Sequence, residues 1–159
     1  MDERKMRMLM RLTAVLSLVI VASSALAEEV TKAGDLEILQ PWARASLVAG
    51  RPAALYFGVR NVGNTTDTLL SVQSPVAVSA EIHATTTENG IMTMAPSGPI
   101  NIDPGGAILL APGGLHVMMK DLSKPLVRGE TVEITLTFAT AGEVRLTVPV
   151  LAAGAVGPQ

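Results

Sequence analysis

The chain of 159 residues has no cysteine. Without cysteine, a thiolate metal ligand, a thiol nucleophile and a disulfide are excluded together. A domain without disulfides must be stabilised by its hydrophobic core. Aromatic residues are also scarce, at 3% of the composition, which argues against a carbohydrate or peptide platform made of exposed rings.

A basic surface is missing as well. The chain has 12 Lys and Arg residues against 14 Asp and Glu residues, and its formal net charge is −2. Nucleic acids and anionic membrane surfaces are bound by clusters of cationic side chains. We therefore expect neither of them as a partner.

The amino-terminal residues have the pattern of a secretory signal peptide. Basic residues occur between residues 4 and 11, an apolar stretch covers residues 12–22, and Ala25-Leu26-Ala27 forms a small-x-small cleavage site. The apolar stretch is shorter than the roughly 20 residues that span a bilayer, and no cysteine is present to carry a lipid. We expect cleavage after Ala27, export to the periplasm and no stable membrane insertion afterwards.

The residues after this leader have the length of one domain with a hydrophobic core. We assign residues 1–27 to the signal peptide and residues 28–151 to a single domain. Residues 152–159 are small or polar and include glycine and proline, so we assign them to a flexible C-terminal tail.

The domain has the sequence pattern of an antiparallel β-sandwich. Short β-branched segments alternate with turn residues, and no long helical period is present. Predicted strands cover residues 36–40, 53–61, 67–72, 77–85, 91–94, 107–110, 115–120, 130–138 and 143–150. Nine short strands of this kind are typical of a sandwich. We expect Trp42 and Tyr56 to fill its core, with Arg44 as a structural partner.

Methionine and histidine are clustered. Past residue 27, methionine occurs at Met92, Met94, Met118 and Met119, and the two histidines of the chain are His83 and His116. Residues two apart in a strand point to the same face, so His116 and Met118 present an imidazole and a thioether together, while Met119 points to the core. By the same rule, Met92 and Met94 share a face.

Neutral imidazole and thioether groups are soft to borderline donors, which suit Cu(I) better than magnesium, calcium or structural zinc. A thioether also keeps its donor atom at any pH and forms no disulfide. Each residue alone has a simpler interpretation, because methionine often fills cores and histidine often packs on strands. Six such residues in one region favour a metal site.

The spacing His83-x10-Met94-x21-His116-x-Met118 resembles the copper motif of the periplasmic copper chaperones called PCu(A)C. The similarity covers most of the domain, including residues 41–44, 54–57, 109–118 and 132–138. It implies a cupredoxin-like, Greek-key β-sandwich in which these four residues bind one Cu(I) per chain. Many relatives have a methionine where this chain has Ala84, and some have a His- and Met-rich tail for Cu(II), which is missing here.

The resemblance further implies a copper carrier and not an enzyme. Its copper would be delivered to a respiratory copper enzyme, cytochrome c oxidase, with a Sco-type thiol chaperone taking part. Copper buffering or resistance would use the same site and stays open as an alternative. So does a role for Met92 as a spare ligand.

Three other functions compare less well with the sequence. A blue-copper electron carrier needs a cysteine thiolate, which the chain does not have. A hydrolytic zinc enzyme could use His83 and His116, with Glu81 as third ligand or base. An exported adhesion or ligand-binding sandwich would leave the histidines and methionines incidental.

Overall fold

The computed structural model describes residues 30–158, so the predicted signal peptide lies outside the described residues. The described part is all β. Its eleven strands are β1 (Val30–Ala33), β2 (Leu36–Arg44), β3 (Ala53–Asn61), β4 (Asp67–Gln73), β5 (Ala77–Glu88), β6 (Ile91–Pro96), β7 (Ile100–Ile102), β8 (Ala107–Leu110), β9 (Leu115–Leu122), β10 (Thr131–Phe138) and β11 (Gly142–Leu151). Within these residues no helix has the length and hydropathy to cross a membrane.

The strands form two layers that share β11. The first layer has the order β6-β5-β9-β8-β3-β2, with β1 paired to β2, and the second has the order β11-β10-β4-β7. β11 joins them because its last residues pair in parallel with β2, Val150 with Ala43 and Leu151 with Arg44. All other pairings are antiparallel except a single parallel pair between β8 and β9. The predicted antiparallel β-sandwich is confirmed.

The core lies between the two layers and follows strand alternation. On β10, residues Val132, Ile134, Leu136 and Phe138 are all at most 3% exposed, and the residues between them are exposed or half-buried. The inward residues of β3 and β9 meet them from the other layer. Burial of such side chains contributes roughly 1.5–3 kcal/mol each, so the fold has no need of disulfides.

Two short strands, β1 and β7, were not among the nine predicted. β7 has three residues, which is too few to show a period of two, and β1 alternates only between exposed and half-buried positions. β2 also runs past the predicted end at residue 40. Its register shifts between Leu39 and Trp42, and Gln40 has a φ of 44°, so a bulge accommodates Pro41 within the strand.

Trp42 and Tyr56 are buried as expected, each at 4% exposure, but they lie outside the main core cluster between the two layers. Ala43 and Leu55 belong to the core between the layers, and their neighbours Trp42 and Tyr56 therefore point to the opposite, outer face of the first layer. The two rings pack on each other with centroids 4.5 Å apart. They form a separate apolar cluster on the outside of the sheet.

The C-terminal residues lie over this outer cluster. Arg44 donates two hydrogen bonds to the carbonyl oxygen of Ala155, from Nε at 2.9 Å and from Nη2 at 2.7 Å. Its guanidinium carbon is 5.4 Å from the centre of the Tyr56 ring. Arg44 is thus the structural partner that the sequence predicts. The expected flexibility of the tail concerns motion, so it stays a prediction.

Candidate metal centre

The two histidines face each other across β5 and β9. In the antiparallel register of these strands His83 is directly opposite His116, and opposed residues point to the same face of a sheet. The ring centroids are 5.8 Å apart, with the rings inclined at 62°. Strand pairing alone brings together two residues that are distant in the sequence.

His116 is the more buried of the pair, at 5% exposure. Its Nδ1 atom lies 3.0 Å from the carbonyl oxygen of Gly114. A carbonyl oxygen only accepts hydrogen bonds, so Nδ1 carries the proton and donates it, and the lone pair of Nε2 is left for a metal ion. Gly113, with a φ of 85°, makes the turn that places this carbonyl just before the strand.

His83 is held through its other nitrogen. Its Nε2 atom lies 3.2 Å from Oε2 of Glu81, and the same oxygen accepts a hydrogen bond of 2.7 Å from Nζ of Lys120. The carboxylate can only accept while it is ionised, so Nε2 of His83 is the protonated nitrogen and Nδ1 has the free lone pair. The side chain of His83 is 12% exposed, so it is largely but not completely buried.

The carboxylate of Glu81 is ionised at neutral pH. Hydrogen bonds from Lys120 and from His83, opposed by partial burial, hold the pKa of Glu81 below its ordinary value. Glu81 and Lys120 lie on the face that carries both histidines, because Glu81 is two residues from His83 and Lys120 pairs with Ser79. The charges of this pair cancel beside the imidazoles.

Met118 and Met119 point to opposite faces, as their positions predict. Met118 is directly opposite Glu81, on the face of the histidines, and is half-buried. Met119 is 0% exposed and belongs to the hydrophobic core. A thioether is therefore available beside His116.

Met94 and Met92 lie on β6, the edge strand next to β5. Met94 is opposite Thr85 and Met92 is opposite Thr87, both on the face of the histidines. They are 57% and 64% exposed. Met94 is a diagonal neighbour of His83, whereas Met92 lies two residue pairs further along the hairpin. The register therefore brings Met94 closer to the histidines than Met92.

The site has the donors of a soft metal centre. Its face presents two imidazoles and two neighbouring thioethers, all neutral. Within residues 30–158 no group of three or more His, Cys, Asp or Glu side chains is arranged to hold a metal ion. Glu81, the third residue of the zinc alternative, already accepts hydrogen bonds from Lys120 and His83, which weakens that alternative.

Sequence reasoning missed Lys120. The signal was present, because Lys120 continues the alternation of His116 and Met118 along β9. A lysine at a strand end, however, usually indicates a solvated edge. Its contact with Glu81 depends on the pairing of β5 with β9 and could not be derived from β9 alone.

A family model described as "Putative lipoprotein LpqE-like" matches residues 36–150, a range that contains both histidines and all four methionines of the domain. A protein of Leifsonia xyli subsp. xyli (strain CTCB07), described as "Putative lipoprotein Lxx21020", is 33% identical over 122 residues, which cover 75% of this chain and 71% of that protein.

Solved structures are similar in the same region. The apo PCuAC domain of PmoF2 is 32% identical with a TM-score of 0.70, covering 82% of this chain and 100% of that domain. The chain belongs to the PCuAC family. The copper-bound PCuAC domain of PmoF2 is also 32% identical, with a TM-score of 0.67 over 78% of this chain and 98% of that domain.

A more distant PCuAC relative comes from Deinococcus radiodurans. The solution structure of CuI-DR1885 is 29% identical, with a TM-score of 0.53, and covers 70% of this chain and 76% of that protein. The family membership that the residue spacing indicated is thus confirmed, and so is the cupredoxin-like sandwich that it implied.

Proposed function

We propose that this PCuAC domain is a copper chaperone that binds one Cu(I) through His83, Met94, His116 and Met118. The observation that carries the proposal is the pairing of His83 with His116. A thioether lies on the same face next to each of them, Met118 beside His116 and Met94 diagonal to His83. Copper in the structures of CuI-DR1885 and of the PmoF2 domain supports this choice of metal.

The donor set supports Cu(I) as the proposed oxidation state. Two neutral nitrogens and two neutral sulfurs add no negative charge, and soft donors of this kind favour Cu(I) over harder divalent ions. The hydrogen bond from His116 to Gly114 and the contact of His83 with Glu81 orient each imidazole before copper arrives. Preorientation of this type commonly contributes about 10- to 100-fold to metal affinity.

The exposure of the donors suits transfer of the metal. His116 is buried and Met118 half-buried, while Met94 lies on an exposed edge strand. An incoming ligand from a recipient protein can displace Met94 first and the buried donors afterwards. Copper would therefore leave the site on the side of the exposed edge strand β6.

The proposed location is the periplasm, and the proposed recipient is cytochrome c oxidase, with a Sco-type thiol chaperone taking part. The leader-like pattern of residues 1–27 and the family resemblance support these proposals. Buffering of excess copper uses the same site and is the second candidate.

An anaerobic titration with Cu(I) against a chromophoric chelator tests the metal site. We expect the purified protein to retain one copper per chain, and we expect the double variant Met94→Leu/Met118→Leu to lose about a hundredfold in affinity, at roughly tenfold or 1.4 kcal/mol per ligand. Met119→Leu is the matched control, because Met119 faces the core and a Met to Leu change there conserves volume.

Failure of the wild-type protein to compete with the chelator would refute the proposed function. The recipient is tested separately in cells that lack the gene for this protein. Loss of copper and activity from cytochrome c oxidase, restored by the wild-type gene but not by the double variant, supports delivery. Unchanged oxidase activity with lowered copper tolerance would instead assign the protein to buffering.

A further inference from the structure

A carboxylate lies beside the candidate copper ligands but is occupied by a lysine. Oε2 of Glu81 accepts from Nζ of Lys120 at 2.7 Å and contacts Nε2 of His83 at 3.2 Å. Glu81 is also directly opposite Met118 in the register of β5 and β9. A short rotation of its side chain would bring a hard, anionic oxygen to a metal ion held by the two histidines.

Such an oxygen would change which metal the site prefers. Two imidazoles and a carboxylate form a usual ligand set for Zn(II), and carboxylate oxygens also stabilise Cu(II) relative to Cu(I). A Cu(I) carrier with a free carboxylate next to its histidines would face competition from zinc, which is the harder ion. The site thus needs Glu81 to orient His83, but the carboxylate must not become a ligand of the metal.

We propose that Lys120 determines the metal selectivity of the site by holding the carboxylate of Glu81 as the acceptor for His83 and away from the metal. The inference rests on the proposed function, since it concerns the same ligands. It assigns roles to two residues that are not metal ligands. Glu81 positions His83, and Lys120 keeps Glu81 away from the metal.

The geometry supports a direct role for Lys120. Its side chain is 38% exposed and that of Glu81 is 42% exposed, so neither is required to fill the core. A partly exposed ion pair usually contributes only about 0–1 kcal/mol to folding stability. The pair is therefore better explained by its contact with His83 than by stability.

The test is a zinc titration of Lys120→Met beside the wild-type protein, with a chromophoric zinc chelator as competitor. We expect the affinity for Zn(II) to rise about 10- to 100-fold in the variant. Mutation of a group that contacts a metal ligand usually changes metal affinity within this range. We expect the affinity for Cu(I) to change by less than about tenfold, because the four neutral donors remain. X-ray absorption of the zinc-loaded variant should show an added oxygen ligand.

Three further variants show whether Glu81 is responsible. Lys120→Met/Glu81→Gln should lose the gain in zinc affinity, since an amide is a weaker ligand than a carboxylate. Lys120→Arg keeps a cationic donor and should behave like the wild-type protein. Lys124→Met removes the same charge from the exposed loop after β9 and should leave zinc affinity unchanged.

Unchanged zinc affinity in a folded Lys120→Met protein would overturn the inference, and so would a gain that persists in the double variant. Thermal unfolding of each variant shows that it is folded. If the wild-type protein binds Cu(I) but Lys120→Met gains no zinc affinity, the role of Lys120 is refuted and the proposed function is not. Wild-type protein that fails to bind Cu(I) refutes the proposed function, and the zinc titration still decides whether Lys120 restrains Glu81.

Discussion

At the scale of single residues, the site depends on which nitrogen of each imidazole is occupied. His116 donates from Nδ1 to a backbone carbonyl, and His83 donates from Nε2 to a carboxylate. The two rings therefore offer different nitrogens to a metal ion, Nε2 from His116 and Nδ1 from His83. A neighbouring side chain and a backbone atom thus select the tautomer of each histidine without a metal ion.

Met92 and Met94 permit a matched comparison on one strand. We expect Met94→Leu to lower the affinity for Cu(I) by at least about tenfold, or 1.4 kcal/mol, because Met94 is diagonal to His83 across β5 and β6. We expect Met92→Leu to change the affinity by less than about threefold. Its position, two residues further from His83 at about 3.3 Å per residue, places it beyond the ligand shell.

The measurement is the same anaerobic Cu(I) competition, run on both single variants. Equal losses in the two variants would mean that both methionines bind copper. A loss in Met92→Leu alone would exchange their roles and contradict the register argument.

At the scale of elements, the pairing of β5 with β9 brings the site together and the edge strand β6 leaves it open. The outer face of the same layer continues through β3 to β2, where Tyr56, Trp42 and Arg44 lie under the C-terminal residues. This face therefore holds the proposed metal ligands at one end and a covered aromatic pair at the other. Arg44 is the link between the aromatic pair and the tail.

We expect Arg44→Ala to detach residues 152–158 from the sheet. The bidentate hydrogen bond to Ala155 is charge-assisted and half-buried, so its loss should lower the free energy of unfolding by about 1–2 kcal/mol. Amide hydrogen exchange of residues 152–158 should become faster, with no change in Cu(I) affinity. Arg128→Ala, on an exposed loop, is the control, and equal exchange rates in the two variants would contradict the role of Arg44.

At the scale of the whole molecule, the second layer is closed by a buried carboxylate. Asp67, at the start of β4, is 6% exposed and accepts hydrogen bonds from backbone amides of Thr68, Thr140 and Ala141 at 2.7, 2.8 and 2.9 Å. Thr140 and Ala141 form the turn between β10 and β11. The carboxylate thus connects the start of a strand to a turn that is distant in the sequence.

The pKa of Asp67 makes stability depend on pH. Burial raises this pKa, but hydrogen bonds from the amides of Thr140, Thr68 and Ala141 outweigh burial, so the pKa lies below the ordinary value of 3.8. A carboxyl whose pKa is lower in the folded state contributes stability above its unfolded pKa and loses that contribution as pH falls through the folded pKa. The contribution is complete at about pH 5 to 7 and declines below about pH 4.

We expect Asp67→Asn to lower the free energy of unfolding at pH 7 by about 1–3 kcal/mol, since buried amide donors lose a charged acceptor. The difference from the wild-type protein should shrink as pH falls below about 4, where the wild-type carboxyl also becomes neutral. Urea unfolding at several pH values between 7 and 3 measures this. Glu143 is an exposed carboxyl on β11, just after the same turn, and Glu143→Gln should show no such change. A constant difference between Asp67→Asn and the wild-type protein at all pH values would contradict the prediction.

Local patterns in the sequence were sufficient for part of this molecule. Alternation along 115–120 separated Met118 from Met119 correctly, because a strand points successive side chains to opposite faces. The spacing of His83, Met94, His116 and Met118 was sufficient for the family and for its fold. Composition alone limited the metal chemistry to nitrogen, oxygen and thioether donors, because the chain has no cysteine.

The remaining features depend on which strands pair. Nothing in β2 or β3 taken alone shows that Trp42 and Tyr56 lie outside the core, because a buried outer face requires another segment to cover it, here the residues around Ala155. The opposition of His83 to His116 and the contact of Lys120 with Glu81 require the register of β5 against β9. Register is a relation between distant segments, so only the tertiary structure decided it.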